Sequence, residues 1–134
     1  MTSQENLEIV RHALPENAPG DPEALIEILD EEVEWDYVGA FPEEVTTYRG
    51  PAEVQRYLRQ WAEGFDDFGF EAEEAIGAGD AVVIRLHQWG RGKDTGAPVE
   101  SRTWQVFTLR GGKIVHCRGY ASKAEALEAA GIRR

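Results

Sequence analysis

The sequence contains one cysteine, Cys117, so no disulfide can close within the chain and a metal site built on several thiolates is excluded. Long apolar runs are missing as well, and stretches such as residues 81–84 are far too short to cross a bilayer. Residues 1–6 are polar and lack a basic stretch followed by an apolar one, which predicts no secretion signal and a cytoplasmic protein without membrane contact. Positive charge is scarce. Fourteen Lys and Arg face 25 Asp and Glu, a net charge of −11, and such a surface repels phosphate backbones and argues against nucleic acid as a partner. No repeat and no Gly-, Ser- or Pro-rich linker divides the 134 residues, so a single domain spanning 1–134 is expected. That length can bury a core unaided, and 42% apolar content without long charge blocks excludes a disordered chain.

Helix ends are the clearest local signals. Thr2 and Glu5 have capping-box spacing, and Leu7, Val10 and Leu14 then share one face. Residues 15–20 break that helix. Asp21 before Pro22 reads as an N-cap with proline in the first turn, followed by a Leu25, Ile28 and Leu29 stripe. Gly50-Pro51 opens the strongest amphipathic pattern, with Val54, Tyr57, Leu58, Trp61, Ala62 and Phe65 on one face. Ser122 and Glu125 begin a last helix that Gly131 stops. Alternation and β-branched content predict strands at 33–37, 68–76, 81–89, 100–109 and 113–120, the last two joined by the tight turn at Gly111-Gly112. The expected order is α-α-β-α-β-β-β-β-α.

Four phrases in that order carry a family likeness: Asn6-Leu7 through Ala13, Gly20-Asp21-Pro22-Glu23-Ala24-Leu25, Tyr48-Arg49-Gly50-Pro51-Ala52-Glu53-Val54, and Gly112-Lys113-Ile114-Val115 continuing to Glu125-Ala126-Leu127. Together they resemble the SnoaL-like branch of the nuclear-transport-factor-2-like superfamily over nearly the whole chain. The resemblance implies an α+β fold, a cone-shaped barrel made of a strongly bent mixed sheet with helices packed on its concave side. It does not choose an activity, because related folds serve as ketosteroid isomerases, scytalone dehydratases, limonene-type epoxide hydrolases, polyketide cyclases and non-catalytic factors.

The choice depends on which side chains face the hollow. Alternation along 81–89 offers two sets, Val82, Ile84 and Leu86, or Val83, Arg85, His87 and Trp89. Hydrophobicity alone puts the aliphatic trio in the core and Arg85 and His87 in water. Alignment with ketosteroid isomerases through Gly77, Gly79 and Trp89 selects the other face, as does the likeness of Arg85-x-His87 to the Arg-x-Asp pair of limonene-type hydrolases. With that choice the pocket set continues as Thr103, Gln105 and Phe107 on the next strand and Cys117 and Gly119 on the last. Val82, Ile84, Leu86, Trp104, Val106, Ile114 and Tyr120 then form an apolar outer face expected to pair with a second copy, since so large a surface does not stay wet.

The chemistry implied by the resemblance follows. Asp36, three residues before Gly39, matches the general-base aspartate of ketosteroid isomerases; read from the residues, it is equally an acidic group on a solvated edge beside Glu34. His87 is suited to acid or base work, and Arg85 to stabilising an oxyanion or to a structural bridge with Asp36. Gln105 stands where ketosteroid isomerases carry a carboxylate, and Gly119 where limonene-type hydrolases and cyclases tend to carry an aspartate, so neither constellation is complete. Tyr57 and Trp61 stripe the third helix toward the pocket, Tyr48 stands in the loop before it, and Phe41 and Pro42 belong to the same segment. His12, His116 and Cys117 have structural readings, and three scattered histidines make no metal site. No nucleotide, flavin or haem motif is present, so no cofactor is expected. The expected function is binding of a small, largely apolar cyclic metabolite, with cofactor-free proton transfer of isomerase, dehydratase or cyclase type through Asp36, His87 and Arg85. The alternatives are a non-catalytic ligand-binding or dimerisation module and an epoxide-type hydrolase.

Overall fold

The computed structural model describes residues 2–38 and 44–131; Gly39, Phe41 and Pro42 lie outside that range. Helix α1 (Ser3–Ala13) starts at a reciprocal capping box, with Glu5 N donating to Thr2 Oγ1 and Thr2 N to the Glu5 carboxylate, each at 3.1 Å. Asp21 caps α2 (Pro22–Glu27) by accepting from Glu23 N. The chain continues through β1 (Leu29–Val38), β2 (Val45–Arg49), α3 (Gly50–Gly64), β3 (Phe65–Ala78), β4 (Ala81–Gly92), β5 (Pro98–Arg110), β6 (Lys113–Tyr120) and α4 (Lys123–Ala129). No helix among the described residues is long and apolar enough to cross a membrane.

Three local expectations change. Residues 45–49 form a strand that periodicity missed, because its side chains are mostly exposed and its pairing with β1 holds it. Leu29 and Phe65, read as the ends of helical stripes, instead start β1 and β3. Leu29 pairs with Ile114, and Phe65 turns to extended backbone and pairs with Gly92.

The six strands form one curved mixed sheet in the order β2-β1-β6-β5-β4-β3, parallel only between β1 and β6. β3 carries register breaks between Asp66 and Gly69 and between Ala72 and Glu74, and such bulges bend a strand. On the inner face, Val33, Ile84, Phe107, Ile114 and Cys117 are buried with Val10, Leu14, Leu25 and Val54 of the first three helices. On the outer face a smaller cluster of Ala81, Val83 and Val106 is covered by Ala126 and Leu127, so α4 packs opposite the other helices.

The phase of β4 corrects the expectation that Val83, Arg85, His87 and Trp89 face inward. Val82 pairs with Phe107, Ile84 with Gln105 and Leu86 with Thr103, and residues opposite each other in an antiparallel pair point to the same face. Thr103, Gln105 and Phe107 could therefore not share the inside with Arg85 and His87. The aliphatic set is inside. The apolar outer surface expected to meet a second copy is dismantled by the same fact: Val82, Ile84 and Ile114 are fully buried in the inner core, and Leu86 packs against it. Ile114 changes side because a register break after Thr108 sets it opposite Leu109. Of the remaining members, Val106 lies under α4, and Trp104 stands beneath the Arg85 guanidinium and the Lys123 ammonium, 5.9 and 5.6 Å from its ring.

Ile84→Ala is expected to lower unfolding free energy by about 2–4 kcal/mol, as burial of a whole isoleucine requires. Arg85→Ala, next to it in sequence and half-exposed, is expected to change stability by under about 1 kcal/mol. Urea unfolding of the two variants measures the contrast, and equal losses would contradict the observed strand phase.

Candidate functional site

Between the inner sheet face and α2 and α3 lies a cavity of about 490 Å³. β1 supplies Trp35 and Tyr37, α3 supplies Tyr57, Leu58 and Trp61, and β3 supplies Phe68 and Phe70. These rings touch in sequence: Trp35 meets Phe107 edge-on at 5.7 Å, Tyr37 lies 5.9 Å from Tyr57, and Trp61 stacks on Phe65 at 5.5 Å. Aromatic rings offer large apolar area and fixed shape, so a wall built from them suits a flat or cyclic guest.

The polar residues of the wall that come from β4, β5 and β6 are Gln88, Ser101, Arg102, Thr103, Gln105 and Tyr120, with Gly119 beside them. Gln105 is tied on both sides: its Nε2 donates to Thr103 Oγ1 at 3.0 Å, and its Oε1 accepts from Cys117 Sγ at 3.5 Å. Burial raises the Cys117 thiol well above its ordinary range, and the nearby Asp36 charge adds to this, so the sulfur keeps its proton. Burial likewise raises the Tyr57 phenol, which stays neutral.

Of the residues singled out from the sequence, Tyr57, Trp61, Thr103, Gln105, Phe107, Gly119 and Asp36 all contribute to the cavity wall. Tyr48 and Cys117 stand one layer behind: Tyr48 stacks on Tyr57 at 4.5 Å, and Cys117 is fully buried. Val83, Arg85, His87 and Trp89 are on the other side of the sheet. Trp89 lies across Gly69, where a Cβ would come within 2.4 Å of the indole; the missing side chain is what admits the ring.

Asp36 needs separate treatment. Trp35 and Tyr37 point toward α3, so alternation sends the side chain between them to the outer face. There its carboxylate accepts from Thr47 Oγ1 at 2.7 Å and pairs with His116 Nε2 at 2.9 Å and Arg118 Nη1 at 3.6 Å. Burial alone would raise its pKa, but the hydrogen bonds from Thr47 and His116 and the charges of His116 and Arg118 outweigh it and hold the carboxyl below its usual value. The bridge to Arg85 considered from sequence is not formed, since Arg85 pairs with Glu73 at 3.5 Å. Putting Asp36 inside would have turned Trp35 and Tyr37 out, a signal that the acidic–aromatic alternation of 34–37 already carried.

Arg85 and His87 belong to a second outer cluster. His87 Nδ1 lies 3.2 Å from Glu71 and Nε2 3.5 Å from Glu100, while Arg102 donates to both Glu73 and Glu100 at 3.0 and 2.6 Å. Side-chain ligand atoms of Glu71, Glu73 and His87 fall within 4.8 Å of one another, but Glu73 is already engaged by two guanidiniums. The cluster's carboxylates are paired with its own arginines and histidine, and it cross-links three strands.

Comparison with known proteins agrees with this architecture. Residues 10–117 match the model of the SnoaL-like domain family, and the chain belongs to that family. No curated protein sequence matches it. Among solved structures, an NTF2-like protein from Burkholderia thailandensis is 26% identical, with a TM-score of 0.69 over 95% of this chain and 98% of that one. A protein from Jannaschia, provisionally described as a SnoaL-like polyketide cyclase, is 18% identical with a TM-score of 0.70, covering 95% and 91% of the two chains. A ketosteroid isomerase-like fold from Catenulispora acidiphila, solved with trimethylamine, is 17% identical with a TM-score of 0.63 over 99% and 96%. The last two likenesses establish the fold alone.

Asp36→Asn is expected to cost about 1–3 kcal/mol at neutral pH, because it removes a partly buried charged acceptor from His116 and Arg118. Since the folded pKa is depressed, the stabilisation is complete above the unfolded value of about 3.9 and fades as pH falls through the folded one. Urea unfolding from neutral to acid pH checks this: the gap between wild type and variant should close as pH falls through the folded pKa of Asp36. A gap independent of pH would contradict the described contacts.

Proposed function

We propose that this SnoaL-like protein binds a small, uncharged, largely apolar cyclic metabolite in the aromatic cavity without transforming it. The observation that carries this reading is the make-up of the wall: a hollow of about 490 Å³ framed by aromatic rings, whose lining from β4, β5 and β6 is mainly neutral amide and hydroxyl, its one charged residue there, Arg102, being paired with Glu73 and Glu100. An apolar guest gains roughly 25 cal/mol for each Å² it removes from water, and a neutral polar end fixes its orientation without the desolvation cost of an ion pair.

Three features weigh against turnover by proton transfer. The Asp36 carboxylate is engaged by Thr47, His116 and Arg118 and held below the ordinary range, which makes it a weak base for a carbon acid. Arg85 and His87 stand on the outer face among glutamates. Gln105 occupies the wall as an amide, which cannot exchange a proton as a carboxyl does. Hydrolysis through an activated water would need an inward carboxylate, and Gly119 brings none to the wall.

A thermal-shift screen of cyclic ketones, enones and epoxides tests the proposal, because a ligand of the native state raises its melting temperature. Hits are expected to be lost in Trp61→Ala and retained in Asp36→Asn and His87→Ala when each is compared with its own unliganded baseline. Chemical conversion of any hit that disappears in Asp36→Asn would replace the binding reading with an enzymatic one.

A further inference from the structure

We infer that the cavity's polar end selects a ligand bearing a hydrogen-bond acceptor such as a ketone or lactone oxygen, and that the buried Cys117 thiol sets this selectivity by orienting Gln105. The inference rests on the binding reading above and names the class of ligand that the pocket takes.

Cys117 is fully buried and its Sγ lies 3.5 Å from Gln105 Oε1. A protonated thiol has one hydrogen to donate, and the amide oxygen is the partner it has. That contact sets the amide oxygen at the sulfur and turns the NH₂ group to Thr103, whose Oγ1 accepts one of its two hydrogens at 3.0 Å. The second amide hydrogen has no acceptor among the described residues, and neither does the Thr103 hydroxyl proton. Gln105 and Thr103 both line the cavity, so two unspent donors stand at one place in its wall. A chain of such bonds polarises along its length, and its free end is a donor.

Gly119 supplies an independent observation. It pairs with Gln105 across β5 and β6, and a Cβ there would lie 3.1 Å from Gln105 Nε2. The amide nitrogen occupies space that any other residue would contest. A glycine at this register position is therefore what lets the amide lie flat against β6, with the Cys117 sulfur at its oxygen.

An acceptor oxygen on the guest satisfies both donors. A hydrocarbon of the same shape leaves them buried and unpaired, and an alcohol brings its own hydrogen into a place already supplied with two. With one neutral hydrogen bond at stake, the ketone should bind about tenfold more tightly than the hydrocarbon. Reversing the amide would remove that preference, which is why the thiol behind it matters.

The test uses three probes of one shape, 2-tetralone, 2-tetralol and tetralin, with dissociation constants measured by calorimetry on the whole chain. Wild type is expected to rank them ketone, alcohol, hydrocarbon, with about tenfold between the first and last. Gln105→Leu should bring the ketone and tetralin within about twofold while tetralin still binds. Gln105→Glu keeps the shape and, once ionised at the alkaline end of a titration over about pH 6–9, replaces the donor with an acceptor, so there the alcohol should overtake the ketone. Cys117→Val should narrow the gap between ketone and alcohol, whereas Cys117→Ser, which restores a donor, should keep it; a role in packing alone would not separate the two by ligand. If Gln105→Leu does not fold, the wild-type ranking and Gln105→Glu decide. Equal binding of the three probes to wild type, or a ketone preference that survives in the ionised Gln105→Glu variant, overturns the selector and leaves the binding reading standing. Failure of all three to bind removes both.

Discussion

Ile84 stands opposite Gln105 across the central strands, and much else in the molecule follows from that pairing. Opposite residues of an antiparallel ladder share a face, and a shift by one residue would exchange every inward side chain for its neighbour. With Ile84 and Val82 at zero exposure against α1 and the rest of the inner core, the aliphatic side of β4 is the only one that removes enough apolar surface from water. Turning the strand over would bury Arg85 and His87 against valine and leucine without their carboxylate partners, and an uncompensated buried charge costs several kcal/mol.

The outer face is built on the opposite principle. Charges that the inner core cannot hold are arranged there as lattices: Asp36 with His116, Arg118 and Thr47 at one end, and Glu71, Glu73 and Glu100 with His87, Arg85 and Arg102 at the other. Each joins residues from three strands, so their geometry reports on sheet pairing more than on chemistry. Between them α4 closes the apolar gap over Val83 and Val106. Ionisable side chains that looked catalytic as a list of residue types are thus part of the sheet's exterior.

Membership of the SnoaL-like family accounts for the curved sheet and the hollow beside it, while the contents of the hollow are this chain's own. A fold of this kind offers a cavity at low cost in special residues, because strand bulges bend the sheet and three helices roof it. A few polar atoms interrupt the aromatic wall. Here they include an amide, a hydroxyl and a glycine, and the amide is held from behind by a thiol. The pocket is therefore polar in pattern there, and its one charged wall residue from β5, Arg102, is paired with glutamates.

Local chemistry made much of the fold legible from the sequence. The Thr2–Glu5 capping box, the Asp21-Pro22 start, the α3 stripe and the Gly111-Gly112 turn each depend on residues within a few positions, and each stands where it was read. Tyr57 and Trp61 were also recognisable as wall residues from helical periodicity, whereas Thr103, Gln105 and Phe107 were placed inside through the family resemblance, beside the wrong face of β4. Alternation alone did not decide the faces of β4 and β1 or the side taken by Ile114, although the aliphatic trio of β4 and the acidic–aromatic order of 34–37 pointed the right way. Alternation defines two sets but not which is inside, and the answer came from long-range register: Gln105 opposite Ile84, Leu109 opposite Ile114, and Asp36 beside Arg118. Sequence by itself determined the elements and the family of the fold; the tertiary pairing of strands far apart in the chain decided which side chains meet the cavity, because a two-residue period carries no record of which face is buried.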